Sequence, residues 1–144
     1  MRSRLLLAFL ILCIISFGLF RLMANSNSLT LNGDSFDMKV ADTTEELRQG
    51  LSGKDSLPKD EVLMFVFAES DYHGIWMKDM NFSIDIIWLD EQKKVVDLEA
   101  NVSPDTYPES FLPDQRSKYV VETNAGVVES TGLQIGEVVE FTLP

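Results

Sequence analysis

The stretch HGIWMKDMNFSIDIIWLD, residues 73–90, holds the chain's single histidine, both tryptophans and a carboxylate set in an apolar run. From Phe82 onward it has strand periodicity. Phe82, Ile84, Ile86 and Trp88 fall on one face, and Ser83, Asp85, Ile87 and Leu89 on the other. Asp85 therefore sits between neighbours of core character. An unpaired ionised carboxylate there is costly, so it needs hydrogen bonds, a cation or a position at the rim in water. Lys78 and Arg48 are its candidate partners. Trp76, Met77 and Met80 suit either core filling or the lining of a ligand groove. The stretch reads as core with a polar cluster along its rim, and it names no reaction.

Outward from this stretch, composition sets the frame. The chain has 144 residues, of which the first 24 differ in kind from the rest. The remainder is the usual size for one domain and can bury a core without metals or disulfides. Its only cysteine, Cys13, lies in the N-terminal apolar run, so the domain has neither a disulfide framework nor a thiol nucleophile. All 23 acidic residues lie beyond position 24, against 9 basic ones, a formal charge of 9 − 23 = −14. Such a surface repels phosphate backbones, which excludes nucleic acid as a partner, and it favours solubility.

The N-terminal segment runs apolar from Leu5 to Phe20 behind Arg2 and Arg4. Sixteen helical residues cover about 24 Å, slightly short of the hydrocarbon core. Extension to Met23 or Ala24 spans it if Arg21 reaches up to the headgroups. The leading positive charges keep the N-terminus cytoplasmic and place the acidic domain outside. Two readings stand: a single-pass anchor in the cell membrane, or a signal peptide cut near Ala24-Asn25-Ser26 that releases a secreted or periplasmic domain. The division is then 1–24 for the signal-anchor or signal peptide, 25–28 for a linker and 29–144 for the domain.

Along that domain, Asn32-Gly33 between two alternating runs marks a hairpin. DTTEELRQG, residues 42–50, is a short helix with a Thr43/Glu46 capping box and Gly50 at its end. Strands follow at 62–67, 75–77, 82–89 and 95–100. The segment 101–118, with Pro104, Pro108 and Pro113, is too rich in proline for regular structure. YVVET (119–123) is a strand, GVVESTGL one or two helical turns, and EVVEFTL a terminal strand. Six or seven short strands with two short helices give an α+β fold: a small, mostly antiparallel sheet or barrel-like domain, preceded by one N-terminal transmembrane helix.

Glu122 poses the same question as Asp85, since it shares a face with Val120 in an otherwise apolar strand. The two acids suit either structural pairing with an arginine or backbone amide, or an acid and base pair of the glycosidase kind. His73, with Asp71 and Asp79 scattered around it, is too poor a ligand set for a transition metal. There is no nucleophile elbow and no phosphate-cradling glycine motif. No catalytic residue, metal or cofactor is assigned.

The order of RQGLSG (48–53), LPKDEVLMFVF (57–67), IWMKDMNFSIDIIWLD (75–90), KYVVETNAG (118–126) and LQIGEVVEF (133–141) resembles the domain of unknown function 192 (DUF192) family over roughly residues 36–143. By position, the family's polar signature falls on Arg48, Trp76, Lys78, Asp85 and Glu122. Ser52, Asp79, Ser83 and Ile84 depart from the usual methionine, asparagine, proline and leucine. The resemblance implies a small β-rich fold, often exported or anchored, with no established reaction. The expectation is a non-catalytic module binding a small polar ligand, a glycan or an envelope protein through a rim of those five residues, the two acids being neutralised by nearby bases. The alternatives are a cell-envelope hydrolase using Asp85 and Glu122, and an accessory protein docking through 101–118.

Overall fold

The computed structural model describes residues 27–144, so the expected membrane helix and its cleavage point lie outside the described residues. Strand β1 (Ser28–Leu31) turns through Asn32-Gly33 into β2 (Asp34–Ala41), with Leu29 opposite Phe36. Both turn residues have positive φ, 47° and 96°, as a two-residue hairpin matched to strand twist demands. Helix α1 (Thr44–Gln49) opens on the expected capping box: Thr43 Oγ1 accepts from Glu46 N–H, and the Glu46 carboxylate accepts from Thr43 N–H.

This helix is a crossover, and it makes β3 (Glu61–Asp71) parallel to β2. Next come β4 (Ile75–Trp76), β5 (Ile84–Leu89), β6 (Val95–Val102), β7 (Ser110–Phe111), β8 (Ser117–Asn124), α2 (Val127–Thr131) and β9 (Glu140–Phe141). Seven strands form one sheet in the order β6-β5-β8-β3-β2-β1-β9, and β4 pairs with β7 in a separate ribbon. The ends of the large sheet approach each other ahead of β9. There Gly136 and Val139 N–H donate to Val95 and Lys93 carbonyls (2.8 and 2.9 Å), and Val95 N–H donates to Glu137 (2.8 Å). The result is a half-barrel with two short α-helices, an α+β architecture.

Alternation divides the apolar residues into two cores. Leu29, Leu31, Met38, Met64, Ile87, Leu89, Val121 and Phe141 fill the inside of the curved sheet. Leu63, Phe65, Ile84, Ile86, Trp88 and Val120 face the other way, under Leu51, Leu57, Met77 and Met80 from the loops. Strand β5 is buried along its whole length, which explains its nearly uninterrupted apolar sequence. Each large apolar side chain buried in the second core is worth about 1.5–3 kcal/mol, and this holds the loops around residues 50–57 and 77–80 onto the sheet. Trp88 belongs to this core and donates its indole N–H to the His73 carbonyl (2.8 Å). His73 itself stacks on Phe67 at 3.5 Å and packs its Nε2 against the Glu69 carbonyl, a structural loop histidine.

Two expectations need correction. The segment 101–118 is not devoid of regular structure: it carries the end of β6, a 3-10 turn at Pro104–Thr106, β7 and the start of β8. Its prolines flank these short elements and do not interrupt a ladder. The second correction concerns Asp85, which is fully buried yet meets no cation among the described residues. Its Oδ1 accepts from Asn101 N–H (2.8 Å) and Gly126 N–H (3.2 Å), and its Oδ2 from Val128 N–H (2.8 Å). The β5/β6 register slips by one residue opposite Asp85, so Asn101 sits in a β-bulge with φ 57°. Asp85 thus ties that bulge to the first turn of α2. Three backbone donors take the place that Lys78 or Arg48 was expected to fill.

Asp85→Ala removes the acceptor of three backbone N–H groups, that of Val128 buried and those of Asn101 and Gly126 part-buried. A loss of at least about 3 kcal/mol in urea unfolding is expected; unfolding curves of variant and wild type that coincide would contradict this role.

Candidate functional site

In the β5/β8 register Glu122 lies opposite Ile86, and in the β3/β8 register opposite Leu63. Its side chain therefore projects to the face under α1, whereas Asp85, one residue before Ile86, projects to the inside of the sheet. The sheet separates the two carboxyls. No substrate atom can touch both, which removes the geometry that a paired-carboxylate hydrolase needs.

Glu122 is 5% exposed. It accepts one hydrogen bond from the Leu51 backbone, and its Oε2 is buried with no partner among the described residues. Burial pushes its pKa from 4.5 up to about 8, against the smaller opposing effect of the Leu51 hydrogen bond. At neutral pH the group is a carboxylic acid, able both to donate and to accept. Gly50, where α1 ends with φ 51°, makes room for the Phe65 ring beside the acid. A Cβ at this position would stand 3.0 Å from the Phe65 ring and 3.6 Å from Glu122 Oε2.

Glu122 forms the floor of a cavity of about 50 Å³ beneath the turn that ends α1, walled by Arg48, Gly50, Ser52, Trp76 and Met80. A wider vestibule of about 240 Å³ shares Arg48, Gln49, Ser52 and Trp76 with it and adds Glu45, Lys78 and Asp79. The walls are positioned by short-range bonds. Ser52 Oγ donates to the Lys78 carbonyl (2.8 Å), Gly53 N–H to the Asp79 carbonyl (2.8 Å), and the Asn81 amide to the Lys54 carbonyl (2.9 Å). These sew the loop after α1 to the loop before β5.

Trp76 is held on the β4/β7 ribbon, opposite Ser110, and remains 48% exposed. Tyr107 packs an edge against it, with centroids 6.0 Å apart at 62°, and the Lys78 ammonium lies 5.6 Å from the indole. Arg48, in the last turn of α1, and Lys78 are both exposed, and neither makes an ion pair among the described residues.

Of the five residues expected from sequence, the fold gathers Arg48, Trp76, Lys78 and Glu122 around one pocket and sets Asp85 apart. Glu122 is not neutralised by a base, because desolvation keeps it protonated. Met77 and Met80 are buried in the outer core, and only Trp76 of that trio stays open to solvent. Ser52 and Tyr107 were not foreseen. The departure of Ser52 from the family's methionine pointed to it, whereas nothing in the proline-bearing segment marked Tyr107.

Comparison with known proteins agrees with this architecture. The family model DUF192, described as uncharacterized ACR, matches residues 27–141, and the chain belongs to this family. A UPF0127 protein of Pyrococcus furiosus is 31% identical over 85 residues, covering 56% of this chain and 67% of that protein. Another, from Thermococcus sibiricus, is 30% identical over 106 residues, covering 72% and 65%. The match thus spans about two thirds of the length of each relative. A crystal structure of a protein of unknown function from Novosphingobium aromaticivorans superposes with a TM-score of 0.73 at 24% identity over 81% of this chain and 84% of that one, a likeness of fold.

The pocket acid leaves a signature in stability. Folded, it holds its proton up to about pH 8; unfolded, it ionises near 4.5. Its contribution is therefore complete below about 4.5 and is lost as pH rises toward 8. Relative to Glu122→Gln, the wild type should lose about 1.4 kcal/mol per pH unit across that window. Parallel stability curves for the two proteins would show that Glu122 titrates normally.

Proposed function

We propose that this member of the DUF192 family is a binding module, displayed outside the cytoplasmic membrane by its apolar leader, whose pocket under α1 takes a small polar molecule. The observation that carries this reading is Glu122 Oε2, a buried oxygen without a hydrogen-bond partner that faces an open cavity. An unsatisfied buried polar atom costs about 1–3 kcal/mol, a cost that a bound polar group removes. The half-exposed Trp76 and the unpaired Arg48 and Lys78 at the entrance supply the other recognition elements of such a site. The hydrolase alternative loses its second carboxylate to the fold of α2. The 101–118 segment, the docking arm of the accessory-protein alternative, contributes Tyr107, whose ring packs against Trp76.

The two tryptophans give the test a built-in reporter, because Trp88 is fully buried while Trp76 stands at the pocket mouth. The full chain in detergent is titrated with a broad panel of sugars, sugar acids, amino acids and short peptides while tryptophan emission is followed. At least one class should give a saturable change that Trp76→Phe abolishes. Arg48→Ala should weaken that binding about tenfold, roughly 1.4 kcal/mol, with an unchanged melting midpoint. Silence across the whole panel, or unfolding of the Arg48 and Trp76 variants, would make the cluster structural.

A further inference from the structure

We infer that the molecule taken by this pocket is a saccharide carrying one anionic group, an inference that rests on the binding-module reading above. Three features of the pocket point the same way. The first is charge. In a domain with 9 basic against 23 acidic residues, two of the basic side chains, Arg48 and Lys78, stand at one entrance, and neither has an acidic partner among the described residues. Arg48 and Lys78 supply the charge-assisted donors that one anionic group needs. Glu45 and Asp79 line the same vestibule, so a second negative charge on the ligand would be opposed.

The second feature is the indole. Trp76 is half exposed, and Tyr107 fixes it from one side by an edge contact. Such a surface suits the C–H-bearing face of a sugar ring, which is apolar while its rim is polar. The Lys78 ammonium lies over the indole, 5.6 Å from its centroid, and a ring placed there would displace it to the side, where it stays within reach of an anionic substituent. The third feature is the floor. A cavity of about 50 Å³ holds the equivalent of a few waters, enough for a hydroxyl or hydroxymethyl arm and too small for a ring. Glu122 presents a lone oxygen there, and a neutral acid that donates and accepts is the natural complement of a hydroxyl. An ammonium in that place would have to pass Arg48 and ionise Glu122, so amino acids fit less well.

The anion has two common sources, a carboxylate or a phosphate. Fluorescence titration of the full-length chain in detergent with glucuronate, glucose 6-phosphate, glucose and glutamate separates them. At least one of the anionic sugars should bind about tenfold or more tightly than glucose. Arg48→Gln and Lys78→Gln, both at exposed positions, should each weaken the anionic sugar by a larger factor than they weaken glucose, so that the advantage shrinks. Glu122→Leu should weaken every sugar. Preference for glucuronate alone identifies the carboxylate as the recognised group, and preference for glucose 6-phosphate alone identifies the phosphate. Glucose binding as tightly as both, or glutamate binding more tightly with release of a proton, overturns the inference and leaves the binding module standing. No response to any of the four overturns it too, whereas the binding reading falls only if the broader panel is also silent.

Discussion

The structure depends on the pairing of β8 with β5, the strand that is buried on both of its faces. In that register Ile86 faces Glu122 and Asp85 faces Thr123, so the two acids of the central strands leave the sheet in opposite directions. A slip of one residue would exchange both faces of a strand and bring every apolar side chain of β5 into the wrong core. The separation of the acids is therefore as firmly set as the fold itself. Each then meets a different physical fate.

Inside the half-barrel, Asp85 finds three backbone amides, freed by a β-bulge and by the first turn of α2, and becomes a fastener. On the other face Glu122 finds, among the described residues, no hydrogen-bond partner beyond the Leu51 backbone, and burial keeps its proton. The elements around it share one purpose in geometry. The capping box fixes the start of α1, Gly50 ends the helix above the acid where both line one cavity, and the β4/β7 ribbon holds Trp76 out at the rim. A neutral acid at the bottom and two unpaired cations at the top form a polar gradient within a strongly anionic domain.

Much of this was legible in the sequence because local chemistry carries it. Asn32-Gly33 dictates a hairpin turn, Thr43 with Glu46 dictates a helix start, and the alternation in 82–89 gives the facing of every residue in β5. Less legible were features set by backbone partners and by distance along the chain. The amides that satisfy Asp85 belong to Asn101, Gly126 and Val128, and a backbone N–H has no residue signature, so a cation was the natural expectation. The parallel β2/β3 pair follows from a crossover through α1 that leaves no mark on periodicity. Strand β7 is two residues long and lies among prolines. Motif order named five candidate residues, four of which the fold brings around one pocket, yet the unpartnered state of Glu122 becomes visible only when its surroundings are assembled.

The measurement closest to the centre is a pH titration of the Glu122 side-chain carboxyl by carbon-13 NMR, in the full chain labelled at its glutamates. A midpoint near 8 is expected for an acid buried without a cation or a second donor. A midpoint near the ordinary 4.5 would mean that water or a base reaches Oε2, and the pocket would lose the feature that makes it a site.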